Sequence, residues 1–131
     1  VVCTVTSATE PVVPDAALAA GAHVNAVGAH HPTARELESD TMARATVVVD
    51  ARAAALAESG DCLIPIEEGR FGPEHVATEI GEVLAGTRPG RPSADALTVY
   101  VSLGQAVQDL AVARLVHERA VAGGRGTVVA L

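Results

Sequence analysis

The stretch Gly21-Ala22-His23-Val24-Asn25-Ala26-Val27-Gly28-Ala29-His30-His31-Pro32 decides how the rest of the chain is read. Residues 22–26 have the character of a short buried strand. Gly28 breaks that strand into a turn, and the turn delivers two imidazoles, His30 and His31. In an open parallel sheet, ligands sit just beyond the carboxyl ends of the strands. A polar, glycine-loosened strand end is therefore the expected place for chemistry.

Working outward, residues 1–6 (VVCTVT), 46–50 (TVVVD) and 97–101 read as three further buried strands, short apolar runs rich in β-branched residues. Asp15 is placed to cap a short helix over 16–20 that Gly21 stops. Residues 33–40 read as loop or a helical turn, and 41–44 as another turn. Residues 51–59 form a helix ended by Gly60, and 63–66 a brief strand or extended piece held out of helix by Pro65. An amphipathic helix is expected over 74–85, with Glu79 and Glu82 on its solvated face. Residues 87–93 (TRPGRPS) are turn-rich. Ser102 begins the longest helix, which runs to about residue 120 and is apolar on more than one side, as in helices buried between layers or subunits. The glycines at 123–126 and the apolar tail 127–131 stay unplaced. Strands alternating with helices imply an α/β fold with a parallel sheet and right-handed crossovers. Thr6, residues 25–31, Asp50 and Ser102 all follow strands and so fall on one edge.

Composition narrows the function classes. The chain has 131 residues, enough for one domain, and 49% are apolar, which argues against disorder. It has no Trp, one Phe and one Tyr, so its core is aliphatic. A formal charge of −7 with no Lys argues against a nucleic-acid partner. No apolar run reaches the ~18–20 residues that span a bilayer, so no membrane role is expected and cytoplasmic residence is the default. Cys3 and Cys62 read as two buried thiols, with a disulfide or metal pair as the alternative. Adjacent side chains on an extended segment point apart and no third ligand has suitable spacing, so His30 and His31 do not imply a metal. The chain opens inside a strand without Met, which predicts that further residues precede it.

Four segments in order carry a family resemblance: VVCTVTSATEPVV (1–13), GAHVNAVGAHHPTAREL (21–37), ESGDCLIP with TEIGEVLAGTRPGR (58–65 and 78–91), and LTVYVSLGQAVQDLAVARLV (97–116). The chain resembles the ornithine cyclodeaminase and mu-crystallin family over nearly its whole length. The resemblance implies the second half of a Rossmann-like parallel sheet with flanking helices and a long C-terminal helix. It places the glycine-rich dinucleotide turn upstream of Val1, and the Gly124-Arg125-Gly126 run lacks the spacing to replace that turn. It also implies NAD or NADP as cofactor, a small amino or cyclic imino acid as substrate, and a homodimer in the full-length protein.

Residue by residue, Thr6, Val24, Asn25, Ala26, Val27 and Ser102 resemble positions beside the cofactor. Leu103 resembles the position whose backbone meets the substrate, with its N–H expected at a helix N-terminus suited to a carboxylate. Cyclodeaminases proper place an Asp after the glycine turn as acid/base group, where this chain has His30. An imidazole can hold or release a proton near neutral pH, so His30 is the candidate catalytic residue; the alternative is an exposed loop histidine. His23, His31, His75 and His117 read as satisfied or exposed. Asn25 either fixes the strand end or touches the cofactor, Asp50 either marks a family strand end or caps the next helix, and Gly28 serves the turn by positive φ or close approach.

These features favour an NAD(P)-dependent imine or ketimine reductase. Alternatives are an ornithine cyclodeaminase that forms proline with ammonia release, and a non-catalytic binding or subunit-contact module.

Overall fold

Short β-branched runs pair side by side in the computed structural model, which describes residues 1–129. They are β1 (Val2–Thr4), β2 (His23–Ala26), β3 (Thr46–Val49), β4 (Thr78–Glu79) and β5 (Thr98–Val101). All pairings are parallel and the order is β1-β2-β5-β3-β4, so the last strand inserts between the second and third. The expected α/β fold with a parallel sheet, flanking helices and a long C-terminal helix is what forms.

Register sorts the side chains. Val24, Val99 and Val47 form one row across the sheet, and Ala26, Val101 and Val49 the next. Both rows pack into one cluster with Leu37, Met42, Ala55, Cys62 and Val76. Those partners come from α1 (Ser39–Arg44), α2 (Arg52–Glu58), α3 (Gly60–Glu67) and the loops beside them. Each fully buried valine contributes roughly 1.5–3 kcal/mol. Alternate residues, His23, Asn25, Val48 and Tyr100, instead line a half-open groove of about 510 Å³ with Ile80 and Val83. Cys3 pairs with Asn25 on this second face and is exposed, so the expectation of two buried thiols holds only for Cys62. Burial pushes the Cys62 thiol up to about 12.

Several elements differ from their sequence reading. Residues 63–66 lie within α3 despite Pro65, whose ring is fully buried: packing outweighs the amide that proline lacks. The expected 16–20 helix is a 3-10 turn over Asp15–Ala17, because the Asp15 carboxylate accepts from Thr41 and Arg44 instead of capping. The expected 74–85 helix divides into a 3-10 turn (Pro73–His75), β4 and α4 (Ile80–Leu84). Thr78 and Glu79 pair with Val48 and Val49 there, which draws them out of helix. Glu79 and Glu82 form a reciprocal capping box on α4 and are not a solvated face.

The long helix α5 spans Ala106–Ala122 and starts four residues after Ser102. It buries no residue: Val107, Leu110 and Val116 are 68%, 70% and 60% exposed, so the expected covering layer is not supplied by the described residues. No helix among them is long and apolar enough to cross a membrane. The last two residues of the 127–131 tail lie outside the described residues.

Candidate functional site

The carboxyl ends of β1, β2, β5 and β3 form one edge, and backbone bonds carry the order past the strands. Val27 N–H donates to Thr4 O (3.0 Å), Ser102 N–H to Ala26 O (2.9 Å) and Asp50 N–H to Val101 O (3.2 Å). These bonds set Val27 beside Thr4 and Ser102 beside Ala26, so Val27 and Ser102 stand at this edge, with Thr6 two residues beyond Thr4.

A residue the sequence reading did not single out organises this edge. Glu36 is fully buried. Its Oε1 accepts from the Thr6 N–H (2.7 Å) and the Thr6 hydroxyl (2.8 Å). Its Oε2 accepts from the Thr4 hydroxyl (2.7 Å) and the Gly28 N–H (2.8 Å). One carboxylate thus ties the end of β1 to the turn after β2. Burial raises its carboxyl, but the bonds from Thr4, Thr6 and Gly28 outweigh this and hold it below the ordinary value. A side chain at Gly28 would collide with the Thr6 backbone and the Glu36 carboxylate, so close approach is the reason for glycine there. No spacing signal marks Glu36, since its partners lie 8, 30 and 32 residues away. The only hint is an acidic residue immediately before Leu37, a core position.

Asp61 supports Glu36 from behind. Its Oδ1 accepts the N–H groups of Glu36 (2.8 Å) and Leu37 (2.9 Å), while its Oδ2 is buried without a partner. Burial, helped by the Glu36 charge, pushes its carboxyl up to about 6 against the pull of the two backbone bonds.

On the other flank, Asp50 Oδ1 accepts the Ala51 N–H, and its Oδ2 accepts those of Leu103 (2.8 Å) and Gly104 (2.7 Å). This corrects the expectation for Leu103. Its N–H lies in a loop before α5, not at a helix start, and a carboxylate of the chain already occupies it. Asp50 therefore clasps the loop after β5 and makes no side-chain cap on α2.

Beyond the Glu36 clasp lies a pocket of about 370 Å³ lined by Ser7, Thr9, Gly28, His30, His31 and Thr33, among others. His30 is exposed in it, with Nδ1 2.9 Å from Gly28 O. A carbonyl only accepts, so Nδ1 carries the proton and Nε2 is the free position of the neutral ring. His31 is exposed, and its carbonyl accepts from Ala34 and Gly60.

The strand residues divide. Val24 and Ala26 are buried in the core, at 0% and 2% exposure. Asn25 faces the opposite groove, where it bonds His23 (3.1 Å) and the Cys3 sulfur (3.4 Å). Their side chains are not brought to the mouth, whereas Val27 is 39% exposed beside it. His23 also meets the Thr98 hydroxyl at 2.7 Å, so both its ring nitrogens are partnered, and His75 bonds Met42 O through Nε2 at 2.9 Å.

Comparison with known proteins agrees with this architecture. The description "ornithine cyclodeaminase/mu-crystallin family" matches residues 1–124. A Δ(1)-pyrroline-2-carboxylate reductase of Bacillus cereus is 43% identical over 127 residues, which cover 96% of this chain and 39% of that protein. The ketimine reductase mu-crystallin of Mus musculus is 43% identical over 118 residues, covering 90% of this chain and 35% of that one. A solved structure of the Thermococcus litoralis Δ(1)-pyrroline-2-carboxylate reductase, in complex with NADH and L-proline, superposes with a TM-score of 0.86. It is 38% identical, over 98% of this chain and 40% of that one. The chain thus spans about two-fifths of the length of the relatives it matches.

Proposed function

The chain belongs to the ornithine cyclodeaminase/mu-crystallin family, and on that footing we propose that it is the cofactor-facing part of an NAD(P)-dependent imine reductase. The substrate class is a small cyclic imino acid such as a pyrroline carboxylate. One observation carries the reading: Thr6, Val27, Gly28, His30 and Ser102 converge on the carboxyl ends of three adjacent parallel strands. The likeness to two imine-reducing relatives at 43% identity supports it.

The mouth fits one end of the cofactor. Its lining of hydroxyls, imidazoles and glycine backbone carries no permanent cation. Such a lining suits the uncharged nicotinamide and offers the pyrophosphate nothing to hold. On this reading the glycine-rich pyrophosphate turn belongs to residues upstream of Val1, and the chain is a partial Rossmann-type domain with its terminal helix. Thr6, Val27 and Ser102 would line the nicotinamide side, with Val24, Asn25 and Ala26 acting through the strand they build. Leu103 would meet the substrate through groups other than its N–H.

When bound, the nicotinamide supplies a hydride to the imine carbon. The residues of this chain orient the reactants and manage the proton. With Nδ1 held by Gly28 O, Nε2 is the ring position of His30 left for the substrate, through which an imidazole can pass a proton to the imine nitrogen. A homodimer, supported by the uncovered apolar surface of α5, and cytoplasmic residence complete the reading for the whole protein.

The test uses the whole protein that carries this chain. Oxidation of NADH or NADPH by Δ(1)-pyrroline-2-carboxylate is expected, and His30→Gln should lower kcat by about 10²-fold. Ammonia release from ornithine with catalytic nucleotide, without imine reduction, would establish the cyclodeaminase reading instead.

A further inference from the structure

We propose that Glu36 is a positioning residue that fixes the Thr6 hydroxyl as a hydrogen-bond acceptor on the exposed end of the first strand, at the carboxyl edge of the sheet, so that the site prefers a ligand presenting an N–H there, the carboxamide amine of a nicotinamide. The inference rests on the functional reading above and deepens it from a shape match to a rule of polarity.

The rule follows from proton bookkeeping. An ionised carboxylate has no proton to give. The Thr6 hydroxyl lies 2.8 Å from Glu36 Oε1 and so must donate to it. That commits its single proton. One of its two lone pairs takes the Ala8 N–H at 3.1 Å. What remains on the exposed side of residue 6 is one lone pair, which accepts and cannot donate.

The carboxylate cannot relax out of this arrangement. Oε1 also accepts the Thr6 amide, and Oε2 accepts the Thr4 hydroxyl and the Gly28 amide. Every partner is a donor and the group is fully buried. Its depressed carboxyl value, set by those bonds against the burial that raises it, keeps the charged form at neutral pH. A ligand that offers a carbonyl or a methyl group to Thr6 therefore finds no donor, whereas an amine completes the hydroxyl's last site.

The experiment measures equilibrium dissociation constants, by fluorescence or calorimetry, on the whole protein. The probes are the reduced nicotinamide nucleotide it prefers and the 3-acetylpyridine analogue, in which a methyl ketone replaces the carboxamide. Wild type should bind the carboxamide form about tenfold more tightly, the scale of one net hydrogen bond. Thr6→Ser keeps the hydroxyl and should keep the ratio. Thr6→Val, at an exposed position, should bring the ratio close to one. Glu36→Gln replaces one of the two acceptor oxygens by a donor, so the four donors around it can no longer all be met, and in protein that keeps the wild-type circular dichroism it should lower the ratio. A Thr6→Val protein that retains the wild-type ratio overturns the inference alone. Failure of the wild type to bind either nucleotide overturns the functional reading and this inference with it.

Discussion

At the carboxyl edge of the sheet, Glu36 and Asp50 accept the amides of residues 6, 28, 51, 103 and 104. At the amino edge, Arg91 donates instead, to the carbonyls of Gly21, Ala22 and Ala96 and to the Thr98 hydroxyl. The unmet backbone groups differ in sign at the two edges, and so do the side chains that meet them. Burial differs as well. Glu36 is 0% and Asp50 9% exposed, whereas Arg91 is exposed. Glu36 and Arg91 make four side-chain hydrogen bonds each, and these should count very differently. A buried group that loses its partner suffers the full desolvation penalty, while an exposed one turns to water. The carboxyl edge is tied by buried acceptors where the ligand is proposed to sit, and the amino edge by an exposed cation.

The largest expected effect is at Glu36. Glu36→Ala leaves the amides of Thr6 and Gly28 and two threonine hydroxyls without their acceptor and opens a cavity in the core. A loss on the order of 3–5 kcal/mol is expected in urea unfolding of the whole protein. A loss below about 1 kcal/mol would break the comparison, because the buried edge would then behave like an exposed one.

The same contrast explains what the sequence disclosed. β2, β3 and β5 are legible because each is an uninterrupted apolar or alternating run whose buried face declares itself. β4 is two residues, Thr78 and Glu79, set in a stretch with helical periodicity, and only its pairing with Val48 and Val49 makes it a strand. The Ser102–Gln105 segment looks like a helix start, but Gly104 adopts φ +87° and Asp50 reaches from β3 to hold the loop open. At the site, Thr6, His30 and Ser102 are visible because they follow strands. Glu36 is not, because its role comes from a loop folded back on two strand ends, and nothing local to residues 33–40 encodes that return. Asp61 is hidden because its partners, the amides of Glu36 and Leu37, reach it only when that loop packs on α3.

Asp61 gives the second test, through pH. Its carboxyl stands near 6 in the folded protein against an ordinary value of 3.8. Between those values the folded state holds a proton that the unfolded chain has released, so stability falls as pH rises through the window. Glu36 works oppositely: held below its ordinary 4.5, it contributes stability above that value that is lost as pH falls through its folded value. The two slopes separate between pH 4.5 and about 6, where the Asp61 contribution acts with little opposition from Glu36. Thermal unfolding of the wild type should show a decline there on the order of 2 kcal/mol, and Asp61→Asn should remove most of it. Identical slopes in the two proteins would mean that the support behind the carboxyl edge carries no buried charge.

The smallest effect belongs to Arg91, and it sharpens the comparison from the other side. Its guanidinium bridges Gly21 O (3.1 Å), Ala22 O (3.3 Å), Ala96 O and the Thr98 hydroxyl (2.9 Å), so it ties residues 91–96 to the starts of β2 and β5. Because the side chain is exposed, Arg91→Ala lets water take over these acceptors, and a global loss under about 1 kcal/mol is expected. The consequence should be local. Proteolytic cleavage within residues 87–96 should quicken, while binding at the carboxyl edge, at the far end of the same strands, stays unchanged. If Arg91→Ala weakened nucleotide binding as strongly as Thr6→Val, the edges would not be independent, and the strands would have to transmit the loss along their length.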